Sequence, residues 1–145
     1  MKKKVIKKIV RNFLNENVKE VRIIAGVLIK CSDTGRVLLL ERNDGNKKEL
    51  WSFITGGVEN NETVLEGLKR EVNEEIGIDP EIIEYKFIDK IEIPKKNKVL
   101  HYYEGFTKSE FKPILNDEHH DWGWFDKDDT PSPLFPKTQE KIDKI

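Results

Sequence analysis

The chain has a single cysteine, Cys31, among its 145 residues, so no internal disulfide can form. That scarcity fits a reducing compartment, and a cytoplasmic location is expected. Cys31 lies in a strand-like run without an activating neighbour in the sequence, which favours an inert small residue over a nucleophile. Long apolar runs are missing as well. Nothing approaches the roughly 18 consecutive apolar residues of a membrane span. Lysines interrupt the apolar positions near the N-terminus, so there is no signal-peptide core and no export is expected. Excess charge is also lacking: the net charge of −1 gives no global case for a nucleic acid or a membrane as partner. Repeats and low-complexity tracts are absent. What remains is enough chain for one domain with a real core.

Residues 2–16 place Val5, Ile6, Ile9, Val10, Phe13 and Leu14 at helical spacing between lysines, which predicts a basic amphipathic helix. Its apolar face is expected to pack on the domain or on a second subunit, which leaves a homodimer open. A membrane-surface or nucleic-acid role is the weaker reading. Residues 1–20 are therefore set apart as an extension, and 21–145 as the domain.

Val21–Lys30 and Arg36–Arg42 read as strands joined by the turn residues Asp33, Thr34 and Gly35. A polar loop over 43–49 and a short apolar stretch from Trp51 to Ile54 follow. The next helix is expected from about Thr63 to Ile76, with Asn61 as its cap and Gly77 in the left-handed position after its end. Ile82–Ile93 and Lys98–Phe106 read as strands about a turn at Pro94–Asn97. Asp117–Asp121 reads as a polar loop, Trp122–Phe125 as a short strand and Thr130–Pro133 as a linker. A final helix is expected to start at Pro136. Strands flanking a central helix, with a terminal helix, predict an α/β sandwich on a mixed sheet.

Negative charge is concentrated in Gly56–Ile78, where six glutamates face only Lys69 and Arg70. On a helix turning about 100° per residue, Val64, Leu65, Leu68, Val72 and Ile76 form an apolar stripe. Glu71, Glu74 and Glu75 share about 100° of arc at its edge. Glu75 falls between apolar positions, where a carboxylate is partly desolvated unless a cation or hydrogen bonds compensate. Gly67 lies between Glu71 and Glu74 and leaves space for a ligand or another chain segment. Arg70 is placed to pair with Glu74 or Glu66. A charged, solvated helix face is the plain alternative. Like charges gathered at an apolar boundary are unfavourable without a cation, however, and magnesium suits such an oxygen-rich set.

The segment resembles the Nudix (MutT-like) hydrolase box, G-x5-E-x7-R-E-U-x-E-E-x-G-U, where U is a bulky aliphatic residue. Gly56, Glu62, Arg70, Glu71, Val72, Glu74, Glu75, Gly77 and Ile78 fill every fixed position. Thr55 departs from the third glycine that many members carry there. The resemblance covers roughly residues 21–145 and implies a Nudix-type α/β/α sandwich with a mixed sheet and a loop-helix-loop. It also implies hydrolysis of a nucleoside diphosphate linked to a group X, with magnesium, or manganese in its place. On that resemblance Glu71, Glu74 and Glu75 are metal ligands, Arg70 orients them, Glu62 supports the loop, and the Gly56 backbone helps build the site. The general base comes from the box or from a later loop, for which Glu118 is the candidate.

His119 and His120 adjoin Glu118. Neighbours on an extended segment point to opposite faces, so the two are not expected to share a metal, and a surface role is expected for each. Arg42 ends a strand before the box, within reach of a substrate phosphate or as a plain surface arginine. Trp51, Phe53 and Trp124 read as core before base-stacking platforms. The short chain resembles members acting on small nucleotides such as nucleoside triphosphates. Pro94, sixteen residues after the box, resembles a weak marker of ADP-ribose hydrolases and also fits an ordinary turn. Dinucleoside polyphosphates, pterin triphosphates, an RNA 5′ end and a silent nucleotide-binding module stay open.

Overall fold

Strand β1 (Arg22–Cys31) carries two sets of apolar side chains, and that alternation explains the layering. Ala25, Val27, Ile29 and Cys31 face one core, and Leu28 faces the other. The computed structural model describes residues 20–43 and 49–145. The helix expected over 2–16, and positions 44–48 of the loop after Arg42, lie outside the described residues.

Strand β2 (Val37–Arg42) forms a hairpin with the second half of β1, and β4 (Ile54–Gly57) pairs with its first half. On its other side β1 runs parallel to β6 (Lys98–Thr107), which pairs antiparallel with β5 (Glu84–Ile93). β2 also pairs with β3 (Trp51–Ser52) and with β7 (His119–Phe125). The parallel β1–β6 pairing among antiparallel ones gives the mixed sheet expected. Helix α1 (Val64–Ile76) lays Leu68, Val72 and Ile76 on one face, and α2 (Thr138–Lys144) lays Ile142 on the other. The result is a three-layer sandwich.

Several boundaries differ from expectation for local reasons. Thr63, not Asn61, caps α1: its Oγ1 accepts from the Glu66 N–H at 3.1 Å, and Glu66 Oε1 accepts from the Thr63 N–H at 2.7 Å. Gly77 does end the helix, at φ 64°. Asp79 accepts from the Glu81 N–H and holds Pro80–Ile82 in a 3₁₀ turn, so β5 starts at Glu84 rather than Ile82. β7 starts at His119 because pairing with β2 continues across a bulge to Arg42. The expected linker is tied to β3, since Trp51 N–H donates to the Pro133 carbonyl and Phe135 N–H to the Trp51 carbonyl. The last helix starts at Thr138 because Lys137, at φ 67°, cannot lie within it.

Candidate active site

The site is built where α1 passes over the end of β4. Gly56 pairs with Ala25 on β1, and Glu71 lies against its backbone so closely that a Cβ on Gly56 would come 2.1 Å from Glu71 Cδ. Only a glycine admits the carboxyl there. Gly67 has a matching use: the space beside it is filled by Glu62 and Val58, so the chain's own loop occupies it rather than a ligand.

Arg70 organises the loop and the helix together. Its Nη2 donates to Glu62 Oε1 at 2.7 Å and to the Gly57 carbonyl at 2.9 Å, while Nε donates to Glu62 Oε2 at 3.1 Å. Its Nη1 donates to Glu71 at 2.9 Å and Glu74 at 3.1 Å. Glu62 also accepts from the Glu59 N–H, which closes the loop. The expected partner Glu74 is found, whereas Glu66 is used in the helix cap instead. The forked guanidinium satisfies four groups in a way a point charge could not.

Glu71 and Glu75 turn toward a cavity of about 390 Å³ that is also lined by Arg42, Phe53, Thr55, Glu118 and His119. Glu74 is half exposed and does not line it. The structure thus brings two of the three box glutamates together and leaves the third at the rim, on Arg70. Glu75 is only 2% exposed, and one of its oxygens has no hydrogen-bond donor among the described residues. Its Oε1 lies 2.6 Å from His119 Nε2, a contact made by one proton between the two groups. His119 is therefore not on the surface, its side chain being 6% exposed. His120 is exposed and lies 3.3 Å from Glu49.

The electrostatics follow from this burial. Desolvation, and then the nearby Glu75 charge, push Glu71 up to about 7. Desolvation pushes Glu75 up to about 8, with Glu118 and Glu74 adding to it. Burial pushes the His119 imidazole below its usual range, so it is neutral at pH 7. Glu75, Glu118 and His119 each offer one ligand atom, all within 4.8 Å of one another. Facing carboxyls, an oxygen without a donor and a neutral imidazole are a donor set that fits a hard divalent cation.

Of the remaining expected residues, Arg42 reaches the cavity and also lies 5.4 Å above the Phe135 ring. Trp51 and Trp124 are core residues. Phe53 is core and cavity wall at once, edge-on to Tyr102 at 5.4 Å. His119, expected on the surface, and Lys98, which the sequence did not single out, also line the cavity.

Comparison with known proteins bears on the family and the fold. The sequence pattern of the NUDIX domain matches residues 21–144. Over 53 residues the chain is 47% identical to the RNA pyrophosphohydrolase of Halorhodospira halophila, a match covering 37% of this chain and 28% of that protein. It is 30% identical over 113 residues to the dihydroneopterin triphosphate diphosphatase of Haemophilus influenzae, covering 68% of this chain and 70% of that one. The chain spans only 28% to 34% of the length of the first relatives it matches. The E. coli dihydroneopterin triphosphate pyrophosphohydrolase structure superposes with a TM-score of 0.67 at 24% identity, covering 88% of this chain and 97% of that one, which shows a shared fold. With the box intact and the sandwich in place, the chain belongs to the NUDIX domain family.

Proposed function

We propose that the domain over 21–145 is a magnesium-dependent hydrolase. It cleaves the phosphoanhydride bond of a nucleoside diphosphate linked to X, with a small nucleotide such as a nucleoside triphosphate as substrate. One observation carries this reading: Glu71 packs under Gly56, Glu75 is buried with one oxygen lacking a donor among the described residues, and both carboxyls, raised in pKa, line a cavity that Arg42 also enters. A buried pair of this kind gains most from a divalent cation. The names of the two relatives described above add support, since both describe attack on a triphosphate or pyrophosphate end.

In this reading Glu71, Glu74 and Glu75 hold magnesium, or manganese in its place. When bound, the cation neutralises pyrophosphate oxygens and acidifies a water. Arg70 fixes the glutamates from behind, and Glu62 fixes Arg70. Arg42 donates to a substrate phosphate. Glu118, exposed at the cavity mouth, takes the proton of the attacking water. Neutral His119 keeps Glu75 aimed.

The test is a panel of nucleotides incubated with magnesium, with products identified by mass spectrometry. Nucleoside triphosphates, dinucleoside polyphosphates, ADP-ribose and triphosphorylated RNA belong on it. Release of phosphate or pyrophosphate only with metal is the expected result. Glu74→Gln should lower turnover by orders of magnitude with the fold intact. A folded Glu74→Gln protein with full activity would remove that residue from the assignment. Tight binding across the panel without turnover would instead identify a silent module.

A further inference from the structure

A second cavity of about 700 Å³ continues from the first, sharing Arg42, Phe53, Thr55 and Lys98 as common wall. Its chemistry is the reverse of the metal end. Among the described residues six cations line it, Arg42, Lys95, Lys96, Lys98, Lys137 and Lys141, against one carboxylate, Glu92. They come from separate elements: the end of β2, the β5–β6 turn, the start of β6, and the entry and last turn of α2. Between them the floor is apolar, with Phe53, Ile93 and Leu100.

Among the described residues no carboxylate lies within 4.0 Å of any of the five lysines. Lys141 instead stands 5.1 Å from the Tyr102 ring and 5.8 Å from the Phe53 ring. Lys137 keeps a long charged side chain at φ 67°, a conformation that favours glycine. Burial, followed by Arg22, Lys96 and Arg42, pushes Lys98 below the usual lysine range, and burial does the same to Lys141. Like charges gathered on an apolar wall focus a positive field into the cleft and stabilise whatever anion enters it.

In the hydrolase reading, the scissile phosphates would find their counter-charge at the carboxylate end, through a cation that the glutamates would hold. The lysines are therefore left for a different anion on the same ligand. We propose that this cleft binds a second phosphate, esterified to the ribose of the substrate nucleotide, with Lys98 and Lys141 as its principal contacts and the apolar floor beneath the base. The inference rests on the hydrolase reading for its orientation but not for its binding test. Two sources carry this chemistry: a small nucleotide with a 2′- or 3′-phosphomonoester, and an RNA 5′ end whose first phosphodiester reaches the cleft.

The experiment has a binding arm and a turnover arm, both on the full chain with magnesium. Calorimetry compares AMP with adenosine 3′,5′-bisphosphate and adenosine 2′,5′-bisphosphate. A bisphosphate is expected to bind about tenfold more tightly or better, with the advantage shrinking as salt rises. Lys98→Ala and Lys141→Met should each remove most of that advantage, and Lys98→Arg should keep it. Thermal melts establish that the variants are folded; Lys98→Gln replaces any that is not. The turnover arm compares ATP, its 3′-phosphorylated form and a 5′-triphosphorylated dinucleotide. Preference for the monoester assigns a small nucleotide, and preference for the dinucleotide assigns an RNA end; either supports the cleft. Equal binding of AMP and both bisphosphates overturns the proposal, even where ATP is hydrolysed. A bisphosphate preference with no turnover of any compound supports the cleft and overturns the hydrolase reading instead.

Discussion

His119 Nε2 lies 2.6 Å from Glu75 Oε1, and this contact joins the last strand to the glutamate helix across 44 positions of sequence. It holds a buried carboxyl that is otherwise short of partners. His119→Ala would leave Glu75 without that partner in a buried place, at a cost of about 1–3 kcal/mol. The expected outcome is a lower Tm and a higher magnesium requirement, read by thermal melts and by titrating the metal in an activity assay. His119→Gln should recover part of both. An unchanged magnesium requirement in His119→Ala would separate the histidine from the proposed metal site.

The raised pKa values of Glu71 and Glu75 give a pH dependence with a definite sign. Both lie above the ordinary value of 4.5, at about 7 and about 8. The native state thus holds these protons more tightly than the unfolded chain does. The corresponding stability is full below about pH 4.5 and is lost as pH rises through about 8. Metal-free protein should therefore lose Tm between about pH 5 and about pH 8. Magnesium competes with the protons, so its stabilisation should be larger at pH 8 than at pH 5. A magnesium-induced Tm gain that stays flat over this range would show that these carboxyls are not where it binds.

Arg70 donates to Glu62, Glu71, Glu74 and the Gly57 carbonyl at once. Lysine keeps the charge but has no planar fork to span those groups. Arg70→Lys is expected to cost about 2 kcal/mol, on the scale of one or two charge-assisted hydrogen bonds, and to lower kcat/KM more than tenfold. Glu62→Gln should cost less in both, because Arg70 keeps its other acceptors. Equal kinetics for Arg70→Lys and the unmodified protein would show that a nearby positive charge is all the site requires.

The box, the phase of α1 and the left-handed Gly77 were legible in the sequence because each is a local pattern. The helical angles placed Glu75 between apolar residues, and it is buried there. His119 was not legible, for a reason that lies in the sheet. Trp122 and Trp124 face the α1 core, and strict alternation from them would bring His120 inward. The bulge between Glu41 and Arg42 pairs Arg42 with His119 directly after Glu41 with Asp121, which reverses that parity. The lysine cleft was hidden similarly. Its cations fall in three groups far apart in sequence, Arg42, then Lys95, Lys96 and Lys98, then Lys137 and Lys141, and only packing makes the groups neighbours.

The helix cap offers a test remote from the cavity. Thr63 and Glu66 exchange side-chain and backbone hydrogen bonds, whereas Asn61, the sequence-level choice, is two residues too early. Thr63→Ala should cost about 1 kcal/mol, or about 2–4 °C in Tm for a chain of this size. Asn61→Ala should change Tm by less than about 1 °C, since it removes no cap. The reverse order in differential scanning calorimetry would place the cap at Asn61.

Gly56 and Gly77 are both fixed positions of the box, but for different physical reasons, and substitution should separate them. Gly77 needs its left-handed backbone, and a Cβ there would also press on Ile114. Gly77→Ala should therefore act mainly on stability, costing about 1–3 kcal/mol. Gly56 has no positive φ, and its limit is the Glu71 side chain, 2.1 Å at Cδ and 2.5 Å at Oε1 from an added Cβ. β4 is held by its pairing with β1, and α1 by its cap and its buried face, so the Glu71 carboxyl is the part that must turn away. Gly56→Ala is expected to weaken magnesium binding about tenfold or more in calorimetry and to lower turnover at least as much, with a smaller loss of Tm than Gly77→Ala. The carboxyl displaced by the new methyl is one of the two that meet at the proposed metal site. A Gly56→Ala protein that binds magnesium normally would therefore show that the metal does not depend on Glu71.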